Sequence, residues 1–155
     1  MNTLTFSVDV AAPADVIWAI WADLEASPQW DTDVVSCRLE GAFAPGTRGL
    51  CKLKNGLRMS IVLEEIEVGR RWRNAARLLG ATLRFDHQVE ALTPATCRVT
   101  HRGDVSQVNP WLWRKVMQAL LRPALNNALR NLAHLAEQRA QEAPSILPAS
   151  AVREQ

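Results

Sequence analysis

Between Thr82 and Val105 the chain alternates apolar and polar residues twice, on either side of Thr93-Pro94-Ala95, and that spacing predicts a β-hairpin. Leu83, Phe85, His87, Val89 and Ala91 share one face of the first run; Cys97, Val99, His101 and Val105 share one face of the second. A register with Ala91 opposite Cys97 sets Glu90 against Arg98, Asp86 against Arg102 and Arg84 against Asp104. Opposite charges then line up along the polar face, as cross-strand pairing favours. The same register places His87 across from His101 on the apolar face.

The rest of the chain must cover that apolar face. Thr3 to Val10 alternates strictly, with Leu4, Phe6, Val8 and Val10 in phase, and predicts a first strand. Val16, Ile17, Ile20, Trp21 and Leu24 recur at helical spacing after Pro13, and a second short helix or turn follows over Glu25 to Trp30. Strands are expected over Val34 to Glu40 and over Thr47 to Lys54. The turn Lys54-Asn55-Gly56 has glycine where positive φ is wanted, and a three-residue loop matches Leu53 to Leu57 and Cys51 to Met59. Leu57, Met59, Ile61 and Leu63 fall out of phase with Ile66 and Val68, which a bulge near Glu64-Glu65 repairs. Beyond Gly69, Trp72, Asn74, Ala76 and Leu78 face inward and Arg71, Arg73 and Arg77 outward, with Glu67 placed to pair with Arg73. Asn109-Pro110 supplies a helix N-cap followed by proline at the first helical position. An apolar face then recurs to about Gln141, with Pro123 expected to kink the helix near Ala119.

The order is strand, helix, short helix, about six antiparallel strands and one long helix, an α+β layout. An alternating sheet must cover its apolar side, and only the long helix is large enough to do so. A curved sheet wrapped around one helix leaves a cavity between them, a common setting for ligands. The expected domain spans 1–141, with 142–155 a flexible tail carrying two prolines and no periodicity.

Composition excludes several classes. The chain has 155 residues, 48% of them hydrophobic, and a formal charge of +2. Its arginines alternate with acids along the strands, which describes a solvated sheet face, so nucleic-acid binding is disfavoured. No apolar run approaches the ~20 residues of a membrane span. The three cysteines, Cys37, Cys51 and Cys97, form no C-x-x-C pair, and their odd number without a signal peptide favours a reducing cytoplasm. There are six tryptophans and no tyrosine, which excludes a tyrosine general acid.

A-P-A-D-V-I-W at 12–18, W-D-T-D-V at 30–34, L-E-G at 39–41, P-G-T at 45–47, V-G-R-R-W at 68–72 and H-Q-V-E-A-L with R-V-T-H at 98–101 occur in an order that resembles the START-like, or polyketide cyclase/dehydrase, superfamily. The resemblance covers Thr3 to about Arg139. It implies the helix-grip (Bet v 1-like) fold: a curved seven-stranded antiparallel sheet around a long C-terminal helix, with two short helices after strand 1. Members bind lipids, sterols, polyketides or plant hormones, and only some catalyse a reaction; fold does not fix function.

The expected function is therefore binding of a small hydrophobic or amphipathic molecule, lipid- or polyketide-like, between sheet and helix. His87 and His101 are the candidate polar anchors, and the weak candidates for an acid–base pair in a cyclase or dehydratase. The plainer reading is that the two rings bond each other or pack under the helix. Trp72, Asn74, Phe85, Val89, Val99 and Met59 on the strands, Trp30 and Trp21 at the mouth, and Trp113, Met117 and Leu120 on the helix are candidate walls. No metal is expected: Cys97 lies ~13 Å along the strand from His101, and no inward carboxylate is evident nearby. Glu64, at the expected bulge, is the only carboxylate candidate for acid–base work, and only if it points inward. No cofactor is expected, and no catalytic mechanism is assigned. Trp111 and Trp113 form a candidate apolar rim suited to a membrane surface, a partner protein or a homodimer.

Overall fold

The computed structural model describes residues 3–106 and 109–143. The elements are β1 (Thr3–Val10), α1 (Ala14–Ala22), a 3-10 turn (Leu24–Gln29), β2 (Val34–Leu39), β3 (Arg48–Leu53), β4 (Arg58–Glu67), β5 (Arg71–Leu78), β6 (Ala81–Thr93) and β7 (Thr96–Ser106). The C-terminal helix comes in three pieces: α2 (Pro110–Val116), a π turn (Met117–Leu121) and α3 (Arg122–Glu142). The strands form one antiparallel sheet in the order β1-β7-β6-β5-β4-β3-β2. The long helix packs across its concave face, so the architecture is the helix grip. The expected tail lies outside the described residues, apart from its first two positions. No described helix is long and apolar enough to cross a membrane.

Alternation dictates the register. β6 and β7 pair with Ala91 opposite Cys97, Glu90 opposite Arg98 and His87 opposite His101, as the hairpin predicts. The β3–β4 turn pairs Leu53 with Leu57 and Cys51 with Met59. Gly56 takes φ 85° there, and the Asn55 side chain accepts a hydrogen bond from Leu57 N–H. The β4 bulge falls between Leu63 and Glu65. Gly49 fills a second special position in β3: a Cβ there would lie 2.6 Å from the Arg38 carbonyl oxygen of β2. Only glycine lets the two backbones come this close.

The register holds, but the ion pairs go elsewhere. Arg98 binds Asp9 of β1 at 2.7 Å instead of Glu90. Asp86 takes Arg71 and Arg73 of β5, at 2.5 and 3.3 Å, instead of Arg102. Arg84 reaches Glu64 at 3.4 Å, which fixes Glu64 on the outer face. Arg102 turns to Asp104 of its own strand. Arg73 pairs with Glu65 and Asp86, not Glu67. The cause is that each inner strand has two neighbours. The Arg71 guanidinium holds Asp86 with two nitrogens, a geometry stronger than a single contact across the hairpin.

The cysteines also depart from expectation. Cys37 and Cys51 face each other in register across β2 and β3 and are joined as a disulfide, leaving Cys97 free and buried. Their count therefore carries no argument for a reducing compartment.

Asn109 caps the helix as expected, its side-chain oxygen accepting from Trp111 N–H at 3.0 Å. The expected kink takes the form of the π turn. Pro123 cannot donate to the carbonyl one turn back, and the helix widens just before it. In α3, Leu125, Ala128, Leu129, Leu132, Ala133 and Ala136 are buried at regular helical spacing.

Candidate functional site

The pairing register carries one row of side chains across the concave face: Trp72, His87, His101 and Phe6, from β5, β6, β7 and β1. The His87 ring stacks on Trp72 with centroids 3.9 Å apart and planes 4° from parallel. It meets His101 edge-on at 4.7 Å. Trp21, projecting from α1, touches Trp72, His87 and His101 at 6.4, 5.8 and 6.0 Å. Trp30, from the end of the 3-10 turn, lies 6.1 Å from His101. α1 presents Trp21 because Ile17, Ile20 and Trp21 form its buried stripe. The result is a box of three indoles around two imidazoles.

Burial governs the electrostatics of this box. His101 is 1% exposed, and loss of solvation pushes its pKa down to about 3. His87 is also held well below the usual histidine value, first by burial and then by the neighbouring His101, with a backbone contact to Trp72 acting the other way. Both rings are therefore neutral near pH 7, and each carries one N–H and one lone pair. His87 Nδ1, His101 Nε2 and the indole nitrogens of Trp21, Trp30 and Trp72 are buried without a hydrogen-bond partner among the described residues. Buried polar groups are ordinarily paired, and each unpaired one costs about 1–3 kcal/mol.

The next row of the sheet holds Leu63, Asn74, Phe85 and Gly103. Asn74 is buried and Phe85 half-buried, and the space a Gly103 side chain would take is occupied by Leu125 of α3. Met59 is half-buried two rows further along. Val89 and Val99 pack as plain core on the other side of the histidines, and Trp113 is buried beneath α2. Trp30, Trp72, His87 and His101 thus come together, with Asn74 and Phe85 adjoining. Leu120 does not join them: it is 65% exposed on the outside of the helix. The Met117 side chain lies outside what the structure describes.

Sequence reasoning missed two participants and an acid next to Trp30 in the chain. Phe43 and Trp18 extend the cluster, Phe43 lying 5.4 Å from Trp72 and 6.1 Å from Trp18. Asp31 follows Trp30 directly, and burial raises its carboxyl pKa to about 6, opposed by a hydrogen bond from Asp33 N–H. The signal was the W-D-T-D-V segment, in which an acid adjoins a core tryptophan.

Residues 1–137 match the profile of a family described as polyketide cyclase / dehydrase and lipid transport. The chain belongs to that family. Among solved structures it is similar to the Zhui aromatase/cyclase from Streptomyces sp. R1128, with a TM-score of 0.77 and 14% identity over 91% of this chain and 96% of that one. A START superfamily protein from Mycobacterium smegmatis gives a TM-score of 0.67 and 18% identity over 93% and 100% of the two chains. A norcoclaurine synthase from Thalictrum, solved with a transition-state analogue, gives 0.66 and 15% over 88% and 94%. At these identities the likeness concerns the fold. No curated protein matches significantly by sequence.

Proposed function

We propose that this protein binds a small apolar or amphipathic molecule between the sheet and the C-terminal helix, with His87 and His101 as neutral hydrogen-bonding anchors for its oxygen atoms. The observation that carries this reading is the set of unpaired imidazole and indole nitrogens buried beside the half-buried Phe85. A hydroxyl or carbonyl on an otherwise apolar ligand matches them, while the aromatic rings match its body. Because the rings fill the box, entry requires the indoles to move.

The histidines are poor candidates for acid–base work in this state. With a pKa of about 3, His101 would hold a proton in roughly one molecule in ten thousand at pH 7. If a cyclisation is catalysed, Asp31, near 6, is the group suited to exchanging protons near neutrality.

The test compares naphthalene with 2-naphthol by calorimetry, on the wild type and on His87→Leu and His101→Leu. The anchor reading expects the wild type to favour 2-naphthol relative to each variant by about 2–10-fold, the worth of one hydrogen bond. Naphthalene affinity serves as the control for packing. An equal hydroxyl preference in all three proteins would remove the histidines from the site.

A further inference from the structure

The two ends of the C-terminal helix behave differently. α3 buries a continuous stripe, whereas among the described side chains of 109–124 only Trp113 is buried, with Val116, Leu121 and Ala124 partly covered. Trp111 is 62% exposed, Leu112 52% and Leu120 65%. Arg114, Lys115 and Arg122 stand among them, also exposed. From Val105 to Ala136 the sequence has no aspartate or glutamate. Among the described residues none of these cations has a carboxylate partner: Lys115 lies over the Trp111 ring at 4.2 Å, whereas Arg122 binds the Gln118 side chain and lies over the Phe6 ring of β1 at 5.8 Å. This contrasts with the sheet's outer face, where Arg71, Arg73, Arg84, Arg98 and Arg102 all hold acids.

We propose that the α2–π-turn end of this helix docks on an anionic lipid surface, lying in the interface with Trp111, Leu112 and Leu120 inserted and Arg114 and Lys115 against the headgroups. Exposed tryptophan and leucine beside unpaired cations, on a helix too polar to span, are the marks of an interfacial segment. The occupant is chosen by charge. A second copy of this chain docked face to face by a two-fold axis would bring like-charged patches together, whereas an anionic bilayer neutralises them. The inference is independent of the ligand proposed above.

The experiment is sedimentation of the full chain with phosphatidylcholine vesicles and with vesicles carrying about one-third phosphatidylglycerol. The wild type is expected to sediment with the anionic vesicles and to be released as salt rises. Arg114→Gln and Lys115→Gln should each weaken binding about 5-fold, and Trp111→Ala should weaken it without changing the salt dependence. These positions are exposed, and an unchanged circular dichroism melt confirms folding. Failure to sediment with either vesicle overturns the proposal. So does binding that none of the variants weakens, or a wild-type dimer in analytical ultracentrifugation that Trp111→Ala dissolves, which would assign the face to a second copy.

Discussion

Replacing His101 by phenylalanine should flatten the acid dependence of stability, and the size of the effect follows from burial. The folded protein keeps His101 neutral down to about pH 3, while the unfolded chain protonates it near the usual histidine value of 6.5. Between those values unfolding takes up a proton. The contribution is therefore complete above pH 6.5 and is lost progressively as pH falls toward 3. From about pH 7.5 to about pH 5 the loss is roughly 2 kcal/mol. Asp31 acts in the opposite sense. Its folded pKa of about 6 lies above the usual aspartate value of 3.8, so the folded state retains a proton there that the unfolded chain releases. That returns on the order of 1 kcal/mol over the same interval and masks much of the histidine effect in the wild type. His87 shifts in the same direction as His101. The comparison with His101→Phe cancels what the two proteins share. Urea unfolding of both, at the two pH values, should show their stability difference moving by about 2 kcal/mol in favour of the variant at the lower pH. A difference that stays constant would mean that His101 can be charged in the folded protein, and the sealed box would be wrong.

Two further substitutions test the frame around the site. Asp86→Asn should destabilise by about 2 kcal/mol, because burial of this carboxylate is outweighed by hydrogen bonds from Arg71 and Arg73, and its loss leaves those two guanidinium groups only the more exposed Glu65 to share. Thermal denaturation would show it, and a midpoint within a degree of wild type would refute it. Gly49→Ala should cost about 3 kcal/mol, since the new methyl meets the backbone oxygen of Arg38 at 2.6 Å, and backbone cannot yield as a side chain would. At this chain length that lowers the melting temperature by roughly 6–12 °C; an unchanged melt would refute the close approach of β2 and β3.

The sheet was legible because alternation leaves little freedom: one slip exposes the whole apolar set. Hence the β6–β7 and β3–β4 registers and the β4 bulge follow from residue order alone. The ion pairs were not legible from one hairpin, because Asp86 and Arg98 also had partners on β5 and β1. The disulfide was hidden for a related reason. The connection between β2 and β3 is too long for its turn to set a register, so nothing local aligned Cys37 with Cys51. The histidine pairing could be read, but not what covers it, since Trp21 and Trp30 arrive from elements whose packing direction local pattern does not encode. Leu120 was misplaced for a definite reason. Counting α turns from Trp113 reaches Leu120, but the π turn adds a residue, so Leu121 turns partly inward and Leu120 out.

That turn gives the helix two phases that can be set separately. Because each α-helical residue advances the chain by about 100°, deleting one residue within 117–121 would rotate everything N-terminal to it, while Leu125 to Ala136 kept their seats. What the α2 end presents to its surroundings can thus be re-aimed by a change of length, with every side chain on it left intact.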